Sequence, residues 1–383
     1  MNNFLKFVIV IFLSIITSSL ANPNIKARTV ILIDYQSDKV LYELQPDHSI
    51  HPASMTKIMT AIVAFDLLTK EKILLDDKVT ISEKAWRMSQ AGYSSMFIMI
   101  NDEISVENLL RGIIIASGND TCVALAEGIA GTEENFVSLM NEKAQEIGMT
   151  ATNFANSSGI NNPDNYSTVR DIALMSKYLI KNYPEYYEYF AETKFTWERT
   201  GGNPITQGNR NTLLYKNIGV DGIKTGHLVV EEYSLASSLK KNKRRLISVG
   251  SGFKSSTSRA SETRKLLTWG LTNSETFEVS KKEETHFEIN TWLGKEKIVK
   301  GYTKEDVYHT IDKKDLRNFE VFLEYTGPAK APIYKDEEIA SVKIYNKQNL
   351  VKSVPVYAVE KVKKINFLLN IITSINYMIW GDA

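Results

Sequence analysis

The chain has 383 residues, which is long for one domain and predicts two. Hydrophobic residues make up 43% and charged residues 24%, as is ordinary for a globular protein with a buried core. The 46 basic residues nearly balance the 45 acidic ones, which argues against a nucleic-acid partner, because nucleic-acid-binding proteins usually carry a basic excess. The single Cys122 excludes an intrachain disulfide, and the pair His48 and His51 has no third ligand nearby in sequence, so we expect neither a metal nor another cofactor.

The first residues have the pattern of an export signal. Lys6 precedes an almost wholly apolar stretch over residues 7–16, and the small residues Ser19 and Ala21 fit the cleavage rule of signal peptidase. We predict a signal peptide over residues 1–21 and a mature protein outside the cytoplasm. An uncleaved N-terminal anchor is the alternative, although the apolar run is short for a membrane span.

A strand pair and a helix follow the signal segment. Residues 28–34 predict a buried strand, and the chain returns in a second strand at 40–42. Apolar residues at helical spacing predict a helix over 55–68. Ser54 and Lys57 stand at positions i and i+3 where this helix begins, so both side chains lie on one face within reach of each other.

Two further motifs follow this serine–lysine pair. Ser117-Gly118-Asn119 lies on a tight turn between two predicted helices, over 109–116 and 121–129. Lys224-Thr225-Gly226 begins on a strand, and this region is predicted to hold strands and a closing helix over 222–224, 233–239, 245–249 and 261–269. Strands at both ends with helices between them predict an α/β (α+β) domain, in which one antiparallel sheet is flanked by helices.

Together the three motifs supply the groups that acyl transfer through a serine needs. Serine is a poor nucleophile until a base takes its proton. Lys57 can be that base only when neutral, and burial and a nearby like charge, for which Lys224 is the candidate, lower a lysine pKa. Ser54 lies in the first helical turn, whose free N–H groups can form half of an oxyanion hole, with a backbone N–H of the Lys224 strand as the other half. Ser117 can bridge Lys57 to a leaving amine, and Asn119 can orient a substrate amide.

Each motif also has a plain structural interpretation. Ser54 could be only a helix N-cap, Gly118 could be only the C-cap of a helix-ending turn, and Lys224 to Gly226 could be only the end of a strand. For any one motif taken alone, the structural interpretation is favoured over the catalytic one. Taken together they require three coincidences in one order along the chain, so we favour the catalytic interpretation.

The pattern changes to short strands after about residue 275. They are predicted over 285–289, 297–300, 319–325, 339–345 and 354–358. We therefore predict a first domain over 22–275, which holds the three motifs, and a small all-β, sandwich-like domain over 276–360. The second domain shows no active-site constellation in its sequence.

The last segment, 361–383, predicts an amphipathic helix on a membrane surface. Lys361, Lys363 and Lys364 precede an apolar stretch over 365–380 that is interrupted by polar residues and ends near Trp380. The stretch is too short and too interrupted to span a bilayer comfortably, whereas a position in the interface suits it. A helix packed on the β domain is the alternative.

From about residue 28 to its end, the chain resembles low-molecular-mass penicillin-binding proteins of the D-alanyl-D-alanine carboxypeptidase family. The three motifs together are typical of penicillin-binding proteins and class A β-lactamases. The similar stretches extend beyond the motifs and cover residues 117–120, 166–171, 209–211, 221–227 and 265–270. The resemblance implies a β-lactamase/transpeptidase-like fold for the first domain.

The resemblance also implies roles for single residues. Ser54 is implied as the acyl-ester nucleophile, Lys57 as the proton acceptor and Ser117 as the proton relay, with Asn119 beside them. Lys224 is implied as the ligand of the substrate carboxylate. The rest of the implied substrate site is Thr225, Gly226, His227 and Arg259. The implied partners are peptidoglycan stem peptides ending in D-Ala-D-Ala and β-lactam antibiotics, and the implied location is the periplasmic (outer) face of the cytoplasmic membrane.

The chain departs from the family after His227. The family usually continues with a small polar residue and, shortly after, Ala-Gly-Tyr, whereas this chain has Leu228, Val229, Val230, Glu231, Glu232 and Tyr233. We expect the bulky Leu228 and the two acids to lie beside the site, where they repel an anionic substrate or reshape its pocket. Ser158 stands where some relatives carry histidine, in what looks like a turn.

Two rival functions are left open by the sequence. A class A-type β-lactamase would need a glutamate to activate the deacylating water, commonly within Glu-x-x-Leu-Asn, and the chain has no such run. A wall-binding protein that turns over poorly because of Leu228, Glu231 and Glu232 is the second rival.

Overall fold

The computed structural model describes residues 22–200, 202–285 and 287–380. The predicted signal peptide, residues 1–21, and the last residues of the predicted terminal helix, 381–383, lie outside the described residues. The described chain divides into a first unit over Asn22–Thr272 and a second unit that begins at Asn273.

The first unit is built around a five-stranded antiparallel sheet. The strands of this unit are β1 (Thr29–Asp34), β2 (Val40–Leu44), β3 (Lys78–Thr80), β4 (Glu103–Ser105), β5 (Lys194–Trp197), β6 (Ile205–Gly208), β7 (Val220–Leu228), β8 (Glu232–Lys241) and β9 (Arg244–Phe253). The main sheet has the order β2-β1-β9-β8-β7, and β3–β4 and β5–β6 form separate pairs. All six residues of β1 are buried, because the strand pairs on both edges and its unbroken apolar run has no solvent face. The predicted antiparallel sheet is confirmed.

Helices cover this sheet. They are α1 (Lys57–Thr69), α2 (Glu83–Gln90), α3 (Val106–Arg111), α4 (Asn119–Ala130), α5 (Glu133–Ile147), α6 (Val169–Asn182), α7 (Pro184–Tyr187) and α8 (Ser256–Asn273). A 3-10 turn, Ala53–Thr56, leads into α1, and a π-helical turn, Gly112–Ala116, follows α3. Every residue of α1 from Lys57 to Phe65 is buried, so this helix runs through the core and has no polar outer face along that length.

The second unit contains the all-β region and a final helix. Its elements are β10 (Ser274–Ser280), β11 (Phe287–Trp292), β12 (Ile298–Tyr302), β13 (Val307–Asp312), β14 (Phe319–Glu324), β15 (Ala329–Lys330), β16 (Glu338–Asn346), β17 (Asn349–Ala358) and α9 (Phe367–Trp380). Six strands form one sheet in the order β14-β16-β17-β12-β11-β15, and β10 pairs with β13. Ile289, Val299, Val342 and Val356 are among the buried residues of its apolar core. The predicted all-β architecture is confirmed, whereas β10, β13 and the short β15 were not predicted.

The final helix, α9, exposes apolar side chains. Phe367, Leu368, Met378 and Ile379 are between 63% and 83% exposed. A helix of 14 residues is about 21 Å long, which is shorter than the roughly 30 Å hydrocarbon core of a bilayer. Among the described residues, no helix is both long enough and apolar enough to cross a membrane.

Candidate active site

Ser54 lies in the 3-10 turn Ala53–Thr56, which we call the nucleophile turn. Ala53 has a φ of +50°, a left-handed conformation that costs a non-glycine residue on the order of 1–2 kcal/mol. The backbone at Gly159 and the backbone at Gly226 both pack closely against this turn. A Cβ at Gly159 would stand 1.9 Å from the carbonyl oxygen of Ala53, and a Cβ at Gly226 would stand 3.1 Å from that of Pro52. The turn is therefore clamped by close packing against two glycines.

The interpretation of Ser54 as an N-cap is wrong. The starts of the nucleophile turn and of α1 have no side-chain cap hydrogen bond, whereas α2 and α5 are capped by the side chains of Ser82 and Thr132. The Oγ atom of Ser54 instead lies 3.0 Å from the Nζ atom of Lys57. The serine at this helix start therefore faces a lysine and not the helix backbone.

Lys57 is fully buried and has three close polar contacts. Its Nζ atom lies 2.6 Å from Oδ1 of Asn119, 2.6 Å from the carbonyl oxygen of Ser158 and 3.0 Å from Oγ of Ser54. The first two partners are carbonyl oxygens and can only accept a hydrogen bond, whereas a serine hydroxyl can also donate one. A neutral lysine that donates its two N–H bonds to the carbonyls keeps its lone pair for the proton of Ser54.

Burial makes the neutral form of Lys57 accessible. It lowers the pKa of Lys57 to about 8, and although Cys122 and Asp120 act against this shift, the positive charge of Arg210 adds to it. The sequence named Lys224 as the like charge near Lys57, and the two amines do repel each other; Arg210 is a further cation that the sequence did not name. The pKa of Lys224 is itself lowered well below its usual value, first by burial and then by Lys57.

Ser117 connects the second motif to the third. The Nζ atom of Lys224 donates to Oγ of Ser117 across 2.9 Å, and both residues are buried. Ser117 has a φ of +61°, so the left-handed residue that ends the preceding helical turn is Ser117, and the interpretation of Gly118 as the C-cap is wrong. The tight turn between the helices, which the sequence predicted, therefore directs the hydroxyl of Ser117 to the lysine of β7.

Asp120 fixes the segment that lies over the second motif. Its carboxylate is fully buried and accepts hydrogen bonds from the hydroxyls of Ser89 and Ser95 and from the backbone N–H groups of Met96 and Phe97. The side chain next to Asn119 therefore ties the chain between α2 and β4 to the start of α4. The sequence placed Asp120 in a similar stretch but did not predict this function.

The remaining predicted site residues surround the end of β7. Thr225 is buried, and His227 is exposed with its ring 4.3 Å from that of Tyr233. Nη1 of the buried Arg259 donates to the carbonyl oxygen of Gly226 across 3.3 Å. Burial lowers the pKa of Arg259 to about 10. The structure thus brings Arg259, which is 33 residues beyond Gly226, to the third motif.

The expectation that Glu231 and Glu232 repel an anionic substrate is not supported, because both acids are paired with cations. Glu231 is only 2% exposed and forms an ion pair with Arg28. Glu232 forms an ion pair with Lys254, 2.7 Å between Oε1 and Nζ. Both carboxylates are therefore already paired with a cation. The apolar residue that this turn exposes most is Val229, at 90%.

Sequence reasoning gave no role to Asp120 or Arg210, and it did not predict the contacts that Ser158 and Glu231 make. Ser158 acts through its backbone carbonyl, so no side-chain signal marks it. Arg210 lies in the Asn-Arg-Asn stretch that resembles the family, which could have identified it as a cation near the site. Asp120 and Glu231 are acids whose partners are distant in the sequence.

Comparison with known proteins assigns the family. The profile of D-alanyl-D-alanine carboxypeptidases matches residues 16–254, and that of the penicillin-binding protein 5 C-terminal domain matches residues 275–364. The chain belongs to the D-alanyl-D-alanine carboxypeptidase family. It is therefore a serine-type hydrolase, as the resemblance implied.

Similar proteins cover nearly the whole chain. The D-alanyl-D-alanine carboxypeptidase DacC of Escherichia coli is 38% identical over 350 residues, which are 90% of this chain and 86% of the relative. The D-alanyl-D-alanine carboxypeptidase DacA of Haemophilus influenzae is 40% identical over 323 residues, 84% of this chain and 81% of the relative.

Solved structures confirm the predicted fold class. Penicillin binding protein 5 from Haemophilus influenzae superposes with a TM-score of 0.80 at 36% identity, covering 90% of this chain and 99% of that one. The Streptomyces K15 DD-transpeptidase superposes with a TM-score of 0.61 at 27% identity, covering 66% of this chain and 99% of that one.

Proposed function

We propose that this protein removes the terminal D-alanine from peptidoglycan stem peptides that end in D-Ala-D-Ala, through an acyl-enzyme on Ser54. The observation that carries the proposal is the position of the Lys57 amine, which is buried between two carbonyl acceptors and the hydroxyl of Ser54. This arrangement supplies a base at the nucleophile, and the 2.9 Å contact between Lys224 and Ser117 supplies a second amine and hydroxyl beside it.

The proposed acylation uses these groups. Oγ of Ser54 attacks the carbonyl carbon of the penultimate D-alanine while its proton moves to Nζ of Lys57. The tetrahedral oxyanion develops near the first turn of α1, where the helix dipole favours negative charge. Lys57 returns the proton through Ser117 to the leaving nitrogen, the C–N bond breaks, and D-alanine leaves as a free amino acid. Water then attacks the ester carbonyl carbon while its proton moves to Lys57. The bond between this carbon and Oγ of Ser54 breaks, Lys57 returns the proton to Oγ, and the shortened peptide leaves as a carboxylic acid.

Substrate binding prepares the base. Burial lowers the pKa of both Lys57 and Lys224, and a charge on one amine disfavours a charge on the other. A substrate carboxylate bound by Lys224, with Arg259 nearby, favours the charged form of Lys224. A charged Lys224 in turn disfavours a proton on Lys57, so a substrate with a free C-terminal carboxylate favours the neutral form of the base.

The same groups account for penicillin binding. A β-lactam presents a strained amide carbonyl and a carboxylate, and attack by Ser54 opens its ring to give the same kind of acyl ester. The rival interpretation as a poorly catalytic wall-binding protein rested on Leu228, Glu231 and Glu232. Both acids are paired with cations, so the part of that reason that concerned their charge no longer applies.

The direct test is D-alanine release from a pentapeptide by the purified protein. We expect the wild type to release D-alanine. Ser54→Ala should release none, because without the hydroxyl of Ser54 no acyl-enzyme forms. A β-lactamase would instead hydrolyse penicillin rapidly and release no D-alanine. A wall-binding protein would do neither, and either result would contradict the proposal.

We further propose that the enzyme is exported and lies on the outer face of the cytoplasmic membrane, held peripherally by α9. The export signal at residues 1–21 and the three lysines Lys361, Lys363 and Lys364 before α9 support this location. The exposed apolar side chains of α9, among them Phe367, give the helix a surface that suits the lipid interface.

A further inference from the structure

We infer that Glu231 is a positioning residue for Ser54: its buried carboxylate holds the backbone at His51 and thereby fixes the nucleophile turn. The inference rests on the proposed function, because it concerns the rate at which Ser54 is acylated. Glu231 itself touches no reacting atom, so it acts through the segment 51–53.

The carboxylate of Glu231 joins three parts of the first unit. Its Oε2 accepts a hydrogen bond from the backbone N–H of His51 across 3.0 Å. Its Oε1 accepts from Oγ of Ser251 across 2.6 Å and forms the ion pair with Arg28. The side chain of Glu231 is 3% exposed and that of Arg28 is 37% exposed, so the pair has an inner and an outer member. Glu231 is the buried member of the pair, and it is bonded to His51 in the segment that leads into the nucleophile turn.

Only Pro52 and Ala53 separate His51 from Ser54. Proline fixes its own φ, and Ala53 is held in the left-handed region at +50°, so this link has little freedom to absorb a shift. The close packing at Gly159 and Gly226 acts on the backbone of Ala53 and Pro52, which follow His51 in the chain. The hydrogen bond at the backbone of His51 therefore supplies a separate restraint at the start of the segment.

The turn that carries Glu231 differs from its relatives. Where the resembling family usually has Ala-Gly-Tyr, this chain has Glu231, Glu232 and Tyr233, and Glu232 keeps a φ of +63°. An alanine at position 231 could not reach His51, so the contact depends on the carboxylate of Glu231. Burying a carboxylate is costly unless it is paired and hydrogen-bonded, and here both conditions are met.

The test separates positioning from stability with a matched pair of variants. Glu231→Ala removes the bond to His51, whereas Arg28→Gln removes the outer cation but leaves the carboxylate bonded to His51 and Ser251. The acylation rate constant at saturating fluorescent penicillin, the dissociation constant and the melting temperature are measured on the full chain. Glu232→Gln serves as the control, because Glu232 lies on the same turn as Glu231 but pairs with Lys254.

We expect Glu231→Ala to lower the acylation rate constant roughly tenfold or more with little change in the dissociation constant, because the nucleophile and not the binding site is displaced. Glu231→Gln, which keeps a carbonyl oxygen for the N–H of His51, should recover most of the rate. Arg28→Gln should lower the melting temperature and keep the rate, and Glu232→Gln should change neither.

Wild-type acylation by Glu231→Ala would overturn the inference, as would rates in Glu231→Ala and Arg28→Gln that fall in proportion to their melting temperatures. If Glu231→Ala does not fold, Glu231→Asp keeps the charge but shortens the side chain by one methylene, and unchanged acylation by that variant would overturn the inference in the same way. A wild-type protein that takes up no penicillin would instead refute the proposed function.

Discussion

At the scale of single residues, the chemistry depends on what surrounds one amine. The sequence predicted that Ser54 and Lys57 share a helix face, because i and i+3 spacing dictates it. It did not predict that the carbonyl of Ser158 completes the set of acceptors around Lys57. Every residue has a carbonyl, so only the folded backbone shows which one reaches a given amine.

The lowered pKa of Lys57 predicts a pH dependence of acylation. Below its pKa of about 8, Lys57 is protonated and has no lone pair for Ser54. The second-order acylation rate constant, which reports the free enzyme, should rise about tenfold per pH unit below that value and then level off. Stopped-flow measurement with a fluorescent penicillin gives the profile.

Arg210→Gln provides the control for this profile. It removes the cation that helps to lower the pKa of Lys57, so the rising part of the profile should move to higher pH. A wild-type rate that does not change with pH between about 6 and 9 would contradict the role of Lys57 as the base.

At the scale of elements, predictions succeeded where the pattern was local and failed where the partners were distant. The buried strand β1 and the helix α1 are both marked by apolar residues that are close neighbours in the sequence. Glu231 was expected to face the substrate, but its ion-pair partner, Arg28, is 203 residues away. The strands β10 and β13 pair with each other and carry several polar residues, so neither has a clear apolar alternation.

The contact between Gly159 and the nucleophile turn can be tested against a matched glycine. Gly159 and Gly148 have φ values of +77° and +89°, but of the two only Gly159 has no room for a Cβ, because the carbonyl oxygen of Ala53 would be 1.9 Å away. An alanine at either position should lower the free energy of unfolding by about 1–2 kcal/mol, because the backbone is left-handed there. Gly159→Ala should lower it by about 1–3 kcal/mol more, because the added methyl group overpacks the site, and this variant should also acylate more slowly.

Calorimetry and labelling with fluorescent penicillin measure the two effects. Gly148 lies at the end of α5, where an added Cβ would meet nothing within 4 Å, so Gly148→Ala should acylate at the wild-type rate. Equal acylation rates in the two variants would show that the packing of Gly159 does not hold the nucleophile turn.

At the scale of the whole molecule, the three motifs and the proposed membrane-binding helix lie in different parts of the chain. The three motifs are all within the first unit, between Ser54 and Gly226, whereas α9 belongs to the second. The chain carries a formal net charge of only +1, so general attraction to an anionic surface is weak. In the proposed location, peripheral binding depends on the apolar side chains of α9, each worth roughly 1.5–3 kcal/mol if fully transferred from water.

Truncation before Lys361 should release a soluble enzyme that still binds penicillin. The variant lacks α9 but keeps every residue of the three motifs. Fractionation of expressing cells, followed by penicillin labelling, measures both properties. A full-length Phe367→Lys, Leu368→Lys variant is the control, because it keeps the segment and removes part of its apolar surface. A truncated protein that stays with the membrane would show that the N-terminal segment holds it there.

The central claim is that Ser54 carries the acyl group, and intact-mass spectrometry after incubation with penicillin tests it most directly. We predict one covalent penicilloyl group on the wild-type protein and none on Ser54→Ala. The reason is that Ser54 has a buried amine 3.0 Å from its hydroxyl and two carbonyls that hold this amine in place. Persistent labelling of Ser54→Ala would contradict the account.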